Sequence, residues 1–338
     1  MTEKPVFGEE QTVPVRMWSI IRSFKFIAVG LMIVLLIVQN AMYHRKAQEL
    51  QKFTETIKRT VLDMYNNSRN LNSSLKMEQL DSNYKVTIYA ITPTFSRPVQ
   101  KAELTRLAQA FMQVFNFHWI VVEDSWKRTK LVTNFLKNSG LRYTHLAVPT
   151  PPSYKLGKSD PNWKKPRGVE QRNAGLQWLR ENLTEFHDGV VYFADDDNTY
   201  SLMLFREMRK IKTVGVWPVG LVGGLAVERP ICDNATGKVV GFNAVWKPDR
   251  PFPLDMAGFA INLKLILENK DAYFSYEVQG GYQESEILRQ IVTRDRLEPL
   301  ADCCTKVYVW HTRTEPPQLH TEQLLIRKGK PSNAGIEV

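Results

Sequence analysis

Residues Val190–Tyr200 (VVYFADDDNTY) join a short apolar stretch to three consecutive carboxylates, and this segment decides the expected fold. Its β-branched and aromatic residues predict a buried strand over Val190–Ala194. Ligands of open α/β sheets bind beyond the carboxyl ends of such strands. The adjacent acids Asp195–Asp197 repel one another, and a hard divalent cation, which prefers oxygen ligands, would relieve that repulsion. We therefore expect a metal and a phosphate at this edge; the alternative is an acidic turn that caps a helix at Asn198 or Thr199.

Segments that precede this strand alternate between strand and helix patterns. The predicted strands are Lys85–Ile91, His118–Val122 and Thr144–Val148, and the predicted helices are Ala102–Phe115, Lys130–Asn138 and Val169–Asn182. Short apolar strands that alternate with helices predict an α/β fold, with a parallel sheet covered on both faces. Neither GxGxxG nor GxxxxGK[ST] occurs, so the sheet edge lacks a glycine-rich dinucleotide or P-loop cradle.

Glycine, proline and tryptophan become frequent after Asn198, and we expect this second half to form a mixed sheet that packs on the first. The predicted elements there are a strand over Lys238–Trp246, a helix over Glu284–Val292 and a strand over Thr305–Val309. The 338 residues carry a formal charge of +10, which suits nucleic acid, an anionic membrane surface or an anionic small ligand. Because the basic residues are dispersed along the chain, we do not expect nucleic acid as a partner.

An apolar run near the N-terminus predicts a membrane anchor. Phe26–Val38 is unbroken, and its extension to Phe24–Tyr43 reaches the ~20 residues that a bilayer-spanning helix needs. The alternatives are a cleaved signal peptide and a buried core helix. With the anchor, the organisation is a cytoplasmic tail (1–23), a signal anchor (24–43), a helical stem (44–83) and a folded domain in two halves, 84–198 and 199–338.

Four glycosylation sequons lie after the predicted anchor, which favours a type II protein with a lumenal C-terminal domain. They are Asn66, Asn72, Asn182 and Asn234. The cysteines Cys232, Cys303 and Cys304 cannot all pair, and the neighbours among them are poorly placed to bridge each other. We expect mostly free thiols, or one intermolecular disulfide.

Several residues outside the acidic run carry chemistry that fits an anionic ligand or a proton transfer. Arg167 and Arg172 frame a helix N-terminus, where arginine forks match phosphate or carboxylate oxygens; the alternative is an exposed helix with local pairs. His311 and Arg313 follow a late strand and form a second candidate anion contact, or are structural. Glu284 begins a helix as either a general base or an acid favoured by the helix dipole.

A proline-bearing loop in the second half is a candidate sugar contact. Trp246 offers an aromatic face, and Arg250 with Asp255 offers groups that orient hydroxyls; the alternative is a packed corner.

Five separated motifs, read together, resemble the β-1,3-glucuronyltransferases. They are RGVEQRNAGL (167–176), YFADDDNTYS (192–201), VWPVGLVGG (216–224), PFPLDMAGFA (251–260) and VWHTRTEP (309–316). The resemblance implies a GT-A fold and an inverting, Mn²⁺-dependent transfer from UDP-glucuronic acid to the 3-hydroxyl of a terminal galactose, such as that of the proteoglycan linkage tetrasaccharide. It also implies a homodimeric, single-pass type II protein of the Golgi membrane, whose catalytic domain has a UDP-sugar-binding half (84–198) and an acceptor-binding half (199–338). Transfer to other galactose-terminated glycans, or metal-dependent hydrolysis of the nucleotide sugar, are the alternatives.

The resemblance also implies roles for individual residues. Glu284 would be the general base and Asp197 the metal ligand. The donor would be held by Phe95, Asp124, Arg167, Arg172, Asp195, Asp196, Asp255, His311 and Arg313. The acceptor would be held by Glu228, Trp246 and Arg250. Phe95 replaces the tyrosine usual in the family, so stacking on uracil is expected without a hydroxyl hydrogen bond.

Overall fold

The computed structural model describes residues 85–157, 160–161 and 164–337, together with twelve positions between 35 and 56. The chain forms two compact units, Met1–Met77 and Glu78–Val338. The described positions of the first unit are helical, and among the described residues no helix is long and apolar enough to cross a bilayer. Most of the predicted anchor, most of the stem, Asn66 and Asn72 lie outside the described residues. The boundaries of tail, anchor, stem and the two halves therefore stay predictions.

The second unit is an α/β structure. Its strands are β1 (Thr87–Thr94), β2 (Phe117–Glu123), β3 (Tyr143–Ala147), β4 (Gly189–Phe193), β5 (Thr199–Tyr200), β6 (Val214–Val216), β7 (Val219–Val222), β8 (Leu225–Asp233), β9 (Lys238–Asn243), β10 (Phe259–Asn262), β11 (Leu297–Pro299) and β12 (Val309–Trp310). Its helices are α1 (Gln100–Phe111), α2 (Lys130–Asn138), α3 (Val169–Asn182), α4 (Leu202–Met208), α5 (Leu263–Glu268), α6 (Gln283–Arg289) and α7 (His320–Arg327). Within the described residues, one sheet has seven strands in the order β11-β6-β10-β4-β1-β2-β3, and a second has five in the order β5-β12-β7-β8-β9.

The central strands of the larger sheet are parallel, as their apolar sequences predict. β1 pairs in parallel with β2 and with β4, and β2 pairs in parallel with β3. β10 runs antiparallel to both β4 and β6, so the half of the sheet built from later residues is mixed. The predicted α/β class, with a parallel first half and a mixed second half, is confirmed. The second half does not form a separate sheet throughout, since β6, β10 and β11 extend the first one.

Both faces of the parallel strands are apolar and covered. Because side chains alternate along a strand, Ile91 and Phe193 pack on one face with Leu176 of α3, while Ala90 and Tyr192 pack on the other with Leu104 of α1. Gly175 of α3 is required at this contact, because a Cβ there would lie 2.7 Å from the Ile91 side chain. Helices on both faces leave the strand ends as the exposed edge of this sheet.

One expectation about the cysteines is wrong: Cys232 and Cys303 form an intramolecular disulfide, and Cys304 is the buried free thiol. Cys232 lies on β8, and Cys303 lies in a left-handed turn, Ala301–Cys304, whose φ angles are all positive. The two cysteines are 71 residues apart, so only the tertiary fold brings their Cα atoms to 5.4 Å.

The same left-handed turn explains a misplaced strand. Thr305–Val309 was predicted as a strand, but Thr305 and Lys306 donate their backbone N–H groups to the carbonyl of Ala301 and close the turn. Pairing begins only at Val309, and β12 runs on to Trp310.

We expect one alkylatable cysteine per chain when the protein is denatured without reductant, and three after reduction. The disulfide protects Cys232 and Cys303, and Cys304 becomes accessible on unfolding. Mass spectrometry after iodoacetamide treatment measures the count directly. Three modified cysteines without reductant would contradict the intramolecular bond.

Candidate active site

The parallel register brings two predicted site residues together at the carboxyl ends of β1 and β2. Thr94 pairs with Glu123, so Phe95 and Asp124 follow neighbouring strands at the same level. The Asp124 N–H donates to the Thr94 carbonyl at 2.8 Å. Phe95 is 47% exposed, which leaves its ring available for stacking and argues against a role in the core.

The carboxylate of Asp124 is held by a residue that the sequence analysis missed. The Thr150 N–H donates to Oδ1 at 2.7 Å, and its hydroxyl donates to Oδ2 at 2.9 Å. Thr150 lies beyond the end of β3 and is buried. Asp124 is half-buried, so its carboxylate stands at the edge beside Phe95.

Asp196 lies in a buried polar network at the same edge. Its carboxylate accepts a hydrogen bond from the Thr94 hydroxyl at 2.7 Å and pairs with Arg97 at 2.7 Å. Arg97 also pairs with the buried Glu103, and its guanidinium lies 4.5 Å from the centroid of the Phe95 ring. Burial raises the pKa of Asp196 to about 6, against the opposing effect of Arg97. Arg97 is thus a further site residue that the sequence analysis missed.

Asp195 is tied to helix α3. Arg172 donates to its Oδ1 at 2.5 Å and, through Nη1, to the carbonyl of Arg167 at 2.9 Å. Gly168 makes this possible: its φ is +73°, and a Cβ there would lie 2.5 Å from Nη1 of Arg172. Arg172 is buried while Arg167 is exposed, so the two predicted anion contacts occupy different environments.

Asp197 offers a carboxylate to a ligand while its backbone is anchored. Its carbonyl accepts hydrogen bonds from Thr312 at 2.7 Å and from Arg106 at 3.1 Å. Burial, and then the nearby Asp195, raise the pKa of its carboxyl group. The acidic run does not cap a helix, since α4 begins at Leu202 with Ser201 as its N-cap. The alternative given for these acids is therefore wrong.

A cavity of about 700 Å³ adjoins the acidic run through Thr312. Its walls come from β7, β8, the loop before β10, the start of α6 and the segment after β12. Seven of the predicted site residues line it: Glu228, Trp246, Arg250, Asp255, Glu284, His311 and Arg313. The other seven, Phe95, Asp124, Arg167, Arg172 and Asp195–Asp197, are absent from its lining and belong to the neighbouring strand edge and α3.

Two carboxyl groups of this cavity, those of the buried Glu228 and the half-buried Glu284, share one guanidinium. Arg250 lies 3.7 Å from Oε2 of Glu284 and 3.8 Å from Oε2 of Glu228. Both distances are longer than a hydrogen bond, and Oε2 of Glu284 is buried without a hydrogen-bond partner among the described residues. Burial raises the pKa of Glu284 to about 7, with Asp255 adding to the rise and Arg250 opposing it. Burial likewise raises the pKa of Glu228 to about 7.

Glu284 lies in the first turn of α6, where the helix dipole would favour an acid in any case. Its raised pKa and its place on the cavity wall suit it to accept a proton near neutral pH. A capping role does not require either property.

His311 and Asp255 form a second pair on the cavity wall. Nδ1 of His311 lies 3.1 Å from Oδ2 of Asp255. This contact raises the pKa of His311 above its ordinary value, against the opposing effect of burial. Burial alone would raise the pKa of Asp255, but His311 and the Ala257 N–H hold it below its ordinary value. The shifts favour an imidazolium at His311 beside a carboxylate at Asp255.

Known proteins resemble this chain over most of its length. The model of Glycosyltransferase family 43 matches residues 107–315. Galactosylgalactosylxylosylprotein 3-beta-glucuronosyltransferase I of Drosophila melanogaster is 58% identical over 256 residues, which are 75% of this chain and 84% of that protein. Galactosylgalactosylxylosylprotein 3-beta-glucuronosyltransferase 1 of Homo sapiens is 56% identical over 239 residues, 70% of this chain and 71% of that protein. Among solved structures, S. aureus TarS in complex with UDP aligns with a TM-score of 0.46 and 17% identity, over 68% of this chain and 61% of that one.

We expect Glu284→Gln to stabilise the protein at alkaline pH. A carboxyl group whose pKa is raised on folding binds more protons in the folded state than in the unfolded chain, so stability falls as pH rises from about 4.5 to about 7. Glutamine does not titrate, so the variant does not lose this stability. Its free energy of unfolding should exceed that of the wild type by about 1–3 kcal/mol at pH 8 and should not differ near pH 4. Urea unfolding at both pH values measures the difference.

Glu286→Gln is the matched control, because Glu286 lies in the same helical turn and pairs with Arg289 at 2.6 Å. It should show no gain at pH 8. If Glu284→Gln loses stability at pH 8 as much as at pH 4, the carboxyl group of Glu284 is not destabilised by its burial.

Proposed function

This chain belongs to glycosyltransferase family 43, and from that membership and the site geometry we propose that it transfers glucuronic acid from UDP-glucuronic acid to the 3-hydroxyl of a terminal galactose. The names of the relatives point to the galactosylgalactosylxylosyl protein as acceptor, that is, the linkage region of proteoglycans. One observation carries the proposal: the carboxyl group of Glu284, with a buried Oε2 and a pKa of about 7, lies on a cavity that adjoins the acidic run Asp195–Asp197.

The proposed chemistry is a single displacement with inversion. An α-linked donor that gives a β-linked product needs one base for the acceptor hydroxyl and one stabilised leaving group. Glu284 would remove the proton of the galactose 3-hydroxyl as oxygen attacks the anomeric carbon, and the bond to UDP would break in the same step. Because the pKa of Glu284 is near 7, the carboxylate form is available at neutral pH and still has driving force as a base.

The acceptor would occupy the cavity. Trp246 is 45% exposed and offers a ring face to a sugar, while Glu228 and Arg250 offer hydrogen-bonding groups on the same wall. Arg250 is fixed by hydrogen bonds to the carbonyls of Gly281 at 3.0 Å and Leu254 at 3.2 Å. A guanidinium with little freedom suits the orientation of an incoming hydroxyl group.

The donor would extend from the cavity to the strand edge. Its uracil would stack on Phe95 and form a hydrogen bond with Asp124. The rest of the nucleotide sugar would contact Asp195, Asp196, Arg167 and Arg172. His311 and Arg313 would contact the diphosphate, and Asp255 the glucuronic acid. The raised pKa of His311 supports this arrangement, because an imidazolium can offset the negative charge that grows on the diphosphate as it leaves.

We further propose that Asp197 holds Mn²⁺ together with the diphosphate of the donor. Among the described residues, no three side chains of His, Cys, Asp or Glu converge as a ready-made metal site. The fit rests on Asp197 itself, whose anchored backbone and crowded carboxylate suit a single protein ligand beside phosphate oxygens and water. When bound, the metal ion would supply positive charge that stabilises the leaving group.

We propose a Golgi membrane location, with a single-pass type II anchor, a lumenal catalytic unit and a homodimeric assembly. Asn182 and Asn234 are exposed, as glycosylation requires. The Cys232–Cys303 disulfide suits an oxidising compartment. Leu324 and Ile326 of α7 are 53% and 58% exposed and offer apolar surface to a second chain.

We expect the full chain, in detergent micelles with MnCl₂, to use UDP-glucuronic acid and to reject UDP-galactose and UDP-N-acetylglucosamine. A galactose-terminated disaccharide is the acceptor, and the one-bond coupling of the new anomeric carbon in NMR reports the β-linkage. Release of UDP at the same rate with and without acceptor would instead identify a hydrolase. Transfer from another UDP-sugar in preference to the glucuronate would contradict the donor assignment.

Asp197→Ala should abolish transfer and remove the Mn²⁺-dependent part of UDP binding. The measurement is calorimetric titration with UDP, with and without MnCl₂, beside melting temperature. The control is Asp249→Ala, which removes an acid from an exposed position of a surface loop. Near-normal turnover of the Asp197 variant would refute the metal assignment.

A further inference from the structure

We propose that Thr150 is a positioning residue that makes the donor site select uracil over cytosine, by fixing the carboxylate of Asp124. The proposal rests on the proposed function, in which Asp124 meets the edge of the base. It adds a residue that no sequence motif singles out and that the cavity does not include.

The contact between Thr150 and Asp124 is two-pronged. The backbone N–H of Thr150 donates to Oδ1 of Asp124 at 2.7 Å, and its side-chain hydroxyl donates to Oδ2 at 2.9 Å. One residue therefore holds both oxygens of the carboxylate. Two such bonds restrict rotation about χ2 of Asp124, a torsion that otherwise takes a wide range of angles. Each carboxylate oxygen has room for a second hydrogen bond, so the group can still accept one from a base.

The chain on either side of Thr150 is held in place, which allows Thr150 to orient the carboxylate of Asp124. Gln171, a buried residue of α3, donates to the Val148 carbonyl at 2.7 Å, and the Val148 N–H donates to the Glu123 carbonyl at 3.0 Å. On the other side, the ring of Tyr154 stacks on that of Tyr276, with centroids 3.9 Å apart. The chain is therefore anchored both before and after Thr150.

The orientation of the carboxylate matters because the two pyrimidines differ at N3. Uracil presents an N–H donor there, and a carboxylate that faces it accepts a hydrogen bond. Cytosine presents a lone pair at the same place, which the carboxylate repels. A carboxylate free to rotate can turn toward the amino group of cytosine, whereas a fixed one cannot. Phe95 cannot supply this discrimination, because stacking on an aromatic ring tolerates any base.

The test compares the dissociation constants of UDP and CDP for the full chain, by calorimetry in MnCl₂. Thr150→Val removes the hydroxyl and keeps the backbone N–H and the side-chain volume. The ratio of the CDP to the UDP constant should fall about tenfold in this variant, which corresponds to the loss of one hydrogen bond to a charged group. Thr150→Ser restores the hydroxyl and should restore the ratio.

Two further variants separate this role from general damage. Phe95→Ala should weaken UDP and CDP alike and leave the ratio unchanged. Thr105→Val, the matched control, removes a hydroxyl that donates to the Lys101 carbonyl within α1 and should change neither constant. If Thr150→Val melts below the assay temperature, Thr150→Ala carries the same test without β-branching.

An unchanged ratio in a folded Thr150→Val protein, with wild-type preference for UDP, overturns this inference and leaves the proposed function intact. A wild-type protein that binds UDP no better than CDP overturns it as well, because no discrimination would exist for Thr150 to support. Failure of the wild-type protein to bind UDP at all would contradict the proposed function itself.

Discussion

The parallel pairing of β1 with β2 and β4 is the constraint on which the rest of the structure depends. Parallel strands end at the same edge, and the register of Ile91 with Phe193 and of Thr94 with Glu123 puts two acidic segments there. Parallel strands also require crossover helices, which cover both faces and leave that edge for polar groups. Helix α3 is one such crossover, and its first turn supplies the arginine that pairs with Asp195.

Charges at this edge and in the cavity fall into two classes. Asp195 and Asp196 are each matched by an arginine at hydrogen-bonding distance, so they are orienting groups as well as candidate ligand contacts. Glu228 and Glu284 share a single guanidinium beyond hydrogen-bonding distance and carry raised pKa values. Carboxyl groups that are shielded from water and lack close partners destabilise the folded state. Such destabilisation is typical of functional sites.

Local sequence predicted the elements well where they bury apolar faces. The helices Lys130–Asn138 and Val169–Asn182 have the predicted bounds, and the first four strands differ from prediction by a few residues. The edge that carries the acids was predicted, since it follows from strand direction alone. Helices α4, α5 and α7 were not predicted, although α6, which has the same length as α4, was.

The features that the sequence did not predict depend on contacts between residues far apart in the chain. The pairing of Cys232 with Cys303 and the bond from Thr94 to Asp196 join positions 71 and 102 residues apart. Thr150 and Arg97 belong to no motif, and only the fold shows which acids they hold. The roles of the individual site residues came from family resemblance, and the geometry supports them without testing them.

We propose that the cavity carboxyl of Glu284 is the base, and the pH dependence of kcat/KM for the donor tests this most directly. We expect the wild-type kcat/KM for the donor, which reports groups of the free enzyme, to fall as pH drops below about 7, the pKa of Glu284. Glu284→Gln should lower kcat about 10²-fold or more and remove that limb. A glutamine variant that keeps wild-type turnover and the same pH profile would contradict the claim and return Glu284 to a structural role in its helix.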